Sequence, residues 1–269
     1  GVDCGDIGLS SIADPAAESG DPNRGGTAVR AIGRDWRTPV GFSPRRPLNP
    51  PPNCVYVNDI DPSSTWIIVP AFNEAQVIGD VVADLRSVFA HVVCVDDGSS
   101  DDTADIAWRS GAHVVSHPVN LGQGAAIQTG VVYARQQPGA AVFATFDADG
   151  QHRLKDLVAM LDRLSRGDVD IVIGTRFAGT TLSATPALKG LILRAAARLS
   201  PSSRQLGLTD AHNGLRVFGK TVAENLDLTM NGMSHAGEFI ALINAHRWRV
   251  AEEPVEILST EYSVAKGQP

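Results

Sequence analysis

The stretch Ala140-Ala-Val-Phe-Ala-Thr-Phe-Asp147-Ala-Asp149-Gly-Gln-His152 decides how the rest of the chain is read. Its apolar half, with Phe143 and Phe146, has the composition of a buried strand, and it stops at two carboxylates one residue apart. In an open α/β sheet, ligands bind beyond the carboxyl ends of the strands. Paired acidic oxygens there, with Gly150 to let the backbone turn, suit a hard divalent cation that also holds phosphate oxygens. Taken alone, Asp-x-Asp-Gly reads more readily as an ordinary capping turn. The reading therefore depends on what ends the neighbouring strands.

Upstream, Trp66-Ile67-Ile68-Val69 reads as a strand ended by Pro70. Residues 74–90 place Ile78, Val81, Val82, Leu85, Val88 and Phe89 at helical spacing. A second strand over 91–95, a helix over 102–110, a third strand over 112–116 and a helix reaching Arg135 follow. Downstream of the opening stretch come a helix over 154–166 and a strand over 169–173. Regular alternation of strand and helix predicts a mostly parallel α/β sheet with helices on both faces.

Each early strand ends in residues suited to a nucleotide. Pro70-Ala71-Phe72-Asn73-Glu74 follows the first, where Asn73 is also a natural helix cap. Asp96-Asp97-Gly98-Ser99 follows the second, and a carboxylate there can receive a ribose hydroxyl or a base N–H. Asn120-Leu121-Gly122-Gln123-Gly124 follows the third and could approach a diphosphate through backbone N–H groups. Other nucleotide and hydrolase signatures fail. Gly122-x-Gly124 lacks the third glycine of a dinucleotide fingerprint, and there is neither a P-loop nor a Gly-x-Ser-x-Gly elbow.

Composition narrows the classes further. The chain has 269 residues, and its formal net charge of −7 argues against nucleic acid as a partner. Cys4, Cys54 and Cys94 form no Cys-x-x-Cys pair, as expected of a reducing compartment without structural zinc. No apolar run approaches the roughly 18 residues of a membrane span, and the N-terminus lacks a secretory pattern, so any membrane role is expected to be peripheral. Residues 1–64 hold nine of the 16 prolines and read as a disordered or loosely packed extension.

The second half is less regular. Residues 179–186 suggest a mobile loop. Residues 187–200 read as a basic amphipathic helix, with Lys189, Arg194 and Arg198, suited to a membrane surface or to ordinary packing. A turn at 210–214, a strand over 215–218, helices over 219–226 and 236–246, and a strand over 249–258 complete a domain of 65–260. Residues 261–269 read as a polar tail.

In this order, Val69-Pro70-Ala71-Phe72-Asn73-Glu74, Val95-Asp96-Asp97-Gly98-Ser99, Asn120-Leu121-Gly122, Asp147-Ala-Asp149-Gly-Gln151-His152 and Gly174-Thr-Arg176-Phe177 resemble the successive motifs of family 2 glycosyltransferases. Asp-Ala-Asp-Gly-Gln-His and Gly-Thr-Arg-Phe resemble in particular the dolichyl-phosphate mannose synthase branch, which loads sugars onto polyprenyl phosphates. The resemblance implies a GT-A fold, a nucleotide-sugar donor, Mg²⁺ or Mn²⁺, inversion at the anomeric carbon, and a cytoplasmic enzyme peripheral to the inner face of the plasma membrane. The ending Thr260 to Gln268 is similar to bacterial members that work with a small membrane protein. Some actinobacterial relatives make polyprenyl-phosphate N-acetylgalactosamine, which turns the expected donor from GDP-mannose toward a UDP-sugar such as UDP-N-acetylgalactosamine.

On that resemblance, Asp96 and Asp97 would hold the nucleoside near Pro70, Ala71, Asn73 and Glu74, with Asn120 and Gln123 beside the diphosphate. Asp147, Asp149 and Gln151 would hold the metal, which neutralises the departing diphosphate. A phosphate acceptor, with a second pKa of about 6, is already an oxyanion near neutral pH and needs positioning rather than a strong base. Arg176 and Arg216 are the first candidates to grip it, because guanidinium binds phosphate bidentately, and Arg194 and Arg198 are the second. His152, His212 and His235 read as surface or supporting residues, and Glu238 as a helix residue that faces either the acceptor or the core.

Alternatives remain. A glycosyltransferase acting on a glycan hydroxyl would need a general base, for which Asp210 or Glu238 could serve. A processive synthase is disfavoured, since Asn244 stands where its Gln-x-x-Arg-Trp signature needs Gln. A nucleotidyltransferase lacks its glycine-rich basic loop here, and the intact carboxylate pair disfavours a non-catalytic binding module.

Overall fold

The computed structural model describes residues 61–177, 206–210 and 212–266. The proline-rich extension up to residue 60, the 179–186 loop and the 187–200 helix with Arg194 and Arg198 lie outside them. Among the described residues seven strands form one sheet, in the order β3-β2-β1-β4-β6-β5-β7. They are β1 (Thr65–Ala71), β2 (His91–Asp96), β3 (His113–Ser116), β4 (Val142–Thr145), β5 (Ile171–Thr175), β6 (Arg216–Gly219) and β7 (Val250–Pro254). The pairs β1–β2, β1–β4, β2–β3 and β5–β7 are parallel, and β6 runs antiparallel to β4 and β5. The mostly parallel α/β sheet read from the sequence is therefore present, with β6 reversed within it.

Strand periodicity builds a core on each face. Ile67 and Val69 point with Val92 and Cys94 toward α1 (Ile78–Arg86) and α4 (Leu154–Ser165), where Leu85, Leu157 and Met160 are buried. Trp66 and Ile68 point with Val93 and Val95 toward α3 (Gln123–Arg135) and α6 (His235–His246), where Ile127, Val131, Phe239 and Ile243 meet them. The shorter helices are α2 (Thr103–Arg109), α5 (Lys220–Asn225) and α7 (Glu261–Ala265). Burial pushes the Cys94 thiol up to about 12, which makes it an inert core residue.

Three local expectations change. Pro70 lies inside β1 instead of ending it. The Ile68 carbonyl accepts from Phe146, so every second residue of β1 faces β4, and the β4 ladder stops at Ile68–Thr145. The N–H that Pro70 lacks would therefore point beyond the ladder. The first helix begins at Ile78, after a turn in which Val77 and Ile78 donate to the Glu74 carbonyl. Residues 261–265 are a helix, capped by reciprocal bonds between Thr260 and Ser263, where the sequence suggested a polar tail.

Strand direction positions the site. The carboxyl ends of β1, β2, β3, β4 and β5 share one edge of the sheet. Because β6 runs the other way, its first residue, Arg216, opens at that same edge.

Candidate functional site

Asp147 lies two residues beyond β4, with its side chain 26% exposed. Gln123 donates to its Oδ1 at 3.0 Å, and His152 Nε2 lies 3.0 Å from its Oδ2. The His152 side chain is itself buried, edge-on to Phe146. Burial opposes the Asp147 charge, but His152, with Arg216 and His235 nearby, outweighs it and holds the carboxyl below its ordinary range. Gly214 makes room for the carboxylate, since a Cβ there would stand 2.0 Å from Asp147 Oδ2.

Asp149 behaves oppositely. Burial, and then the charge of Asp147, push its proton affinity up, against the hydrogen bond from the Gln151 amide at 3.0 Å. Two hard oxygen donors that repel each other in a partly desolvated crevice fit a divalent cation. Among the described residues no group of three or more His, Cys, Asp or Glu could hold a metal by itself. A cation here would draw its remaining oxygens from a bound phosphate or from water. A cavity of about 480 Å³ opens beside Asp149, lined also by Val81, Phe146 and Leu258.

At the ends of β2 and β3 the residues expected to meet a nucleotide make bonds within the protein. Asp97 is buried, and its carboxylate serves the protein's own loop. It meets His117 Nδ1 at 2.7 Å and accepts from the Leu121 and Gly122 amides at 2.9 and 2.7 Å. His117 is fixed in turn by Thr129 at 2.9 Å. Gly124 donates to the Asn231 carbonyl at 2.7 Å. The amides of residues 121, 122 and 124, expected to face a diphosphate, are therefore engaged internally. Gly122 is required here, with φ +96° and the Asn231 carbonyl 2.5 Å from where a Cβ would be. Asp96 accepts from the Ser99 amide at 3.2 Å, and Asn120 is exposed beyond the loop.

Asn73 is not a helix cap. Val77 occupies the cap position of α1 without a side-chain bond. Asn73 instead ties two strand-end loops together, donating its amide to Ser99 Oγ and accepting the Ser100 amide on Oδ1, both at 2.8 Å. Glu74 is buried and donates its amide to Thr103 at 2.8 Å. Pro70 and Ala71 complete the floor, the Ala71 carbonyl accepting from the Asp97 amide at 2.8 Å.

The two arginines differ. Arg176, just past β5, makes a fork with buried Asp210, Nε and Nη2 each at 2.7 Å. Arg216 is fully buried, its guanidinium 4.9 Å from the centre of the Phe239 ring. Its Nε and Nη1 have no hydrogen-bond partner among the described residues. Burial pulls its pKa down to about 10 against the pull of Asp147 and Asp210, which leaves it a cation near neutral pH.

The structure thus brings Gln123, Asp147, Asp149, His152, Arg216 and His235 together at the strand ends. His152, through its buried side chain, and buried His235 are supporting residues, whereas His212 is exposed. Glu238 turns to the 229–230 segment, accepting from the Thr229 and Met230 amides at 2.9 Å. Sequence reasoning passed over His117, whose only signal was a histidine one residue past a strand, and Tyr262 and Lys266, which reach Glu74 from α7 and its C-cap.

Known proteins resemble this chain in sequence and in fold. The chain is 32% identical to an uncharacterized protein of Methanocaldococcus jannaschii, over 78% of this chain and 88% of that one. It is 27% identical to the UDP-N-acetylglucosamine--dolichyl-phosphate N-acetylglucosaminyltransferase of Methanococcus voltae, over 75% and 88%. Its fold matches that of glucosyl-3-phosphoglycerate synthase from Mycobacterium tuberculosis, solved with Mn²⁺, uridine diphosphate and phosphoglyceric acid. That match has a TM-score of 0.57 and 18% identity, and covers 77% of this chain and 74% of that one. The model of the family described as "Glycosyl transferase family 2" matches residues 66–226, which hold all but the last helices and strand of the architecture and every carboxylate of the crevice, and the chain belongs to that family.

Proposed function

We propose that the protein transfers a sugar from a nucleotide-sugar, a UDP-sugar before GDP-mannose, to a polyprenyl phosphate at a membrane surface. The observation that carries this reading is the condition of the two carboxylates the sequence offers as a general base. Asp210 is held by the Arg176 fork, and Glu238 by the backbone of residues 229–230. A hydroxyl acceptor needs a base, whereas a phosphate monoester brings its own oxyanion. Buried Arg216, cationic and with two nitrogens unpartnered among the described residues, supplies positive potential beside Asp147 that favours such an anion. The Methanococcus relative, named for a UDP-sugar and a dolichyl phosphate, supports the same pairing.

In this reading Asp147 and Asp149 hold Mg²⁺ or Mn²⁺, with Gln151 beside them. The metal, when bound, neutralises charge on the leaving diphosphate. Gln123 and His152 orient Asp147, and Gly214 keeps its approach open. An acceptor phosphate oxygen forms the new bond to the anomeric carbon as the bond to the nucleoside diphosphate breaks, with inversion. Contact with the lipid in this reading is at the membrane surface, alone or through a small membrane protein; no described helix is long and apolar enough to cross a membrane.

The test offers radiolabelled UDP- and GDP-sugars with Mn²⁺ or Mg²⁺ to membranes and to short polyprenyl phosphates. Label is expected in acid-labile lipid. Label confined to glycan or protein hydroxyls overturns the acceptor.

A further inference from the structure

We propose that α7 is a clamp on the loop after β1, with Tyr262 and Lys266 acting as positioning residues that fix Asn73 and Glu74 for the donor. The donor half of this inference rests on the nucleotide-sugar reading above.

Asn73 has φ +54°, a left-handed backbone in a residue that is not glycine. Such strain persists where surrounding contacts over-determine it, and it concentrates at functional loops. Here the contacts come from two sides. Ser99 and Ser100 hold the Asn73 amide and side chain. From the other side, the Asn73 carbonyl accepts from Lys266 Nζ at 3.1 Å and, also at 3.1 Å, shares the single Tyr262 Oη proton with Glu74. The same two residues divide the Glu74 carboxylate, Tyr262 donating to Oε2 at 2.7 Å and Lys266 to Oε1 at 2.6 Å. Lys266 also reaches the Phe72 carbonyl at 3.3 Å. Three consecutive residues of the loop are thus held by two side chains, Tyr262 in α7 and Lys266 at its C-cap.

Dependence runs both ways. Five residues are too few to hold a helix in water, so α7 owes its order to the Thr260–Ser263 cap and to this docking. The preceding segment is tied down as it crosses the crevice, Glu256 donating to Asp156 and Leu258 to the Gln151 carbonyl, both at 2.9 Å. The chain therefore runs from beside the carboxylate pair to the β1 loop and joins the two walls of the proposed donor site. Lys266 also offsets the Glu74 charge, with the carboxylate only 10% exposed. Without it, an uncompensated anion would face the place where a nucleoside diphosphate binds.

The test uses the full chain and the variants Lys266→Met, Tyr262→Phe and Lys266→Arg, with two measurements. Amide exchange in a peptide spanning residues 70–77 should rise by about threefold or more in Lys266→Met and Tyr262→Phe, while peptides from β2 and β3 stay unchanged. The Kd of whichever of UDP and GDP the wild type binds in Mn²⁺ should rise about tenfold in Lys266→Met, the loss of one charge-assisted hydrogen bond, and recover in Lys266→Arg. Unchanged exchange in residues 70–77 in both variants overturns the clamp. Faster exchange with an unchanged nucleotide Kd overturns its role toward the donor. If the wild type binds neither nucleotide, the donor reading falls, and the exchange measurement still decides whether α7 positions the loop. Tyr262→Phe removes a single hydroxyl, so the exchange test stands even if Lys266→Met does not fold.

Discussion

Arg176 and Asp210 meet in a fork of two 2.7 Å hydrogen bonds, and the Arg176 amide adds a third bond to the same carboxylate at 3.2 Å. The acid is buried and the base mostly so. Removing one partner strands the other's charge, so Arg176→Ala should cost about 3 kcal/mol in urea unfolding. Removing both, in Arg176→Ala/Asp210→Ala, should cost less than that single change. A single-variant loss below about 1 kcal/mol would mean that the fork does not hold this part of the fold. Any acceptor defect in Arg176→Ala must be read against that loss of stability.

Asp149→Ala should remove transfer on the order of 10²–10³-fold while leaving the melting temperature nearly unchanged, since its carboxylate opposes burial and the Asp147 charge. Activity near wild type would sink the metal assignment.

Gly214→Ala tests the approach of the backbone to Asp147. The new methyl would overlap Asp147 Oδ2 and push the carboxylate aside. A displacement of about an ångström should lower kcat about 10²-fold, with a higher Mn²⁺ requirement. An unchanged metal dependence would show that the carboxylate position is not limiting.

A pH dependence arises at the opposite edge of the sheet. Trp66 stacks on His91 at 4.5 Å, and Tyr133 Oη lies 3.1 Å from His113 Nδ1. Burial pulls both imidazoles below 6.5. Arg86 adds to this for both, and His91 adds to it for His113, while Ser63 and Asp61 pull His91 partly back. The unfolded chain therefore takes up protons first. The stability due to these neutral rings is whole above pH 6.5 and is lost as pH falls from there toward the folded values. Urea midpoints at about pH 7.5 and about pH 5.5 should differ, and His113→Phe should narrow the gap. An equal gap in the variant would acquit the histidine pair.

The alternation of apolar runs was enough to read the sheet and its edge, because strand order barely matters to which residues end a strand. The reversal of β6 was not readable, yet Arg216 still reached the crevice, since a reversed strand brings its first residue there. Asp147, Asp149 and Gln123 were legible as chemistry at the end of a run. The inward turn of Asp97 was not, because it depends on His117 and two amides twenty to twenty-five positions away. Nor was the helix at 261–265, whose order comes from a loop near the start of the domain.

That docking also sets an order of assembly. Lys266 and Glu74 are 192 positions apart, so the loop that leaves the ribosome first is among the last to be finished. During synthesis, strands β1 to β4 can pair while residues 72–74 still lack their partners. A nascent chain can thus hold β1 to β4 as a paired unit long before the loop after β1 gains the contacts that complete it.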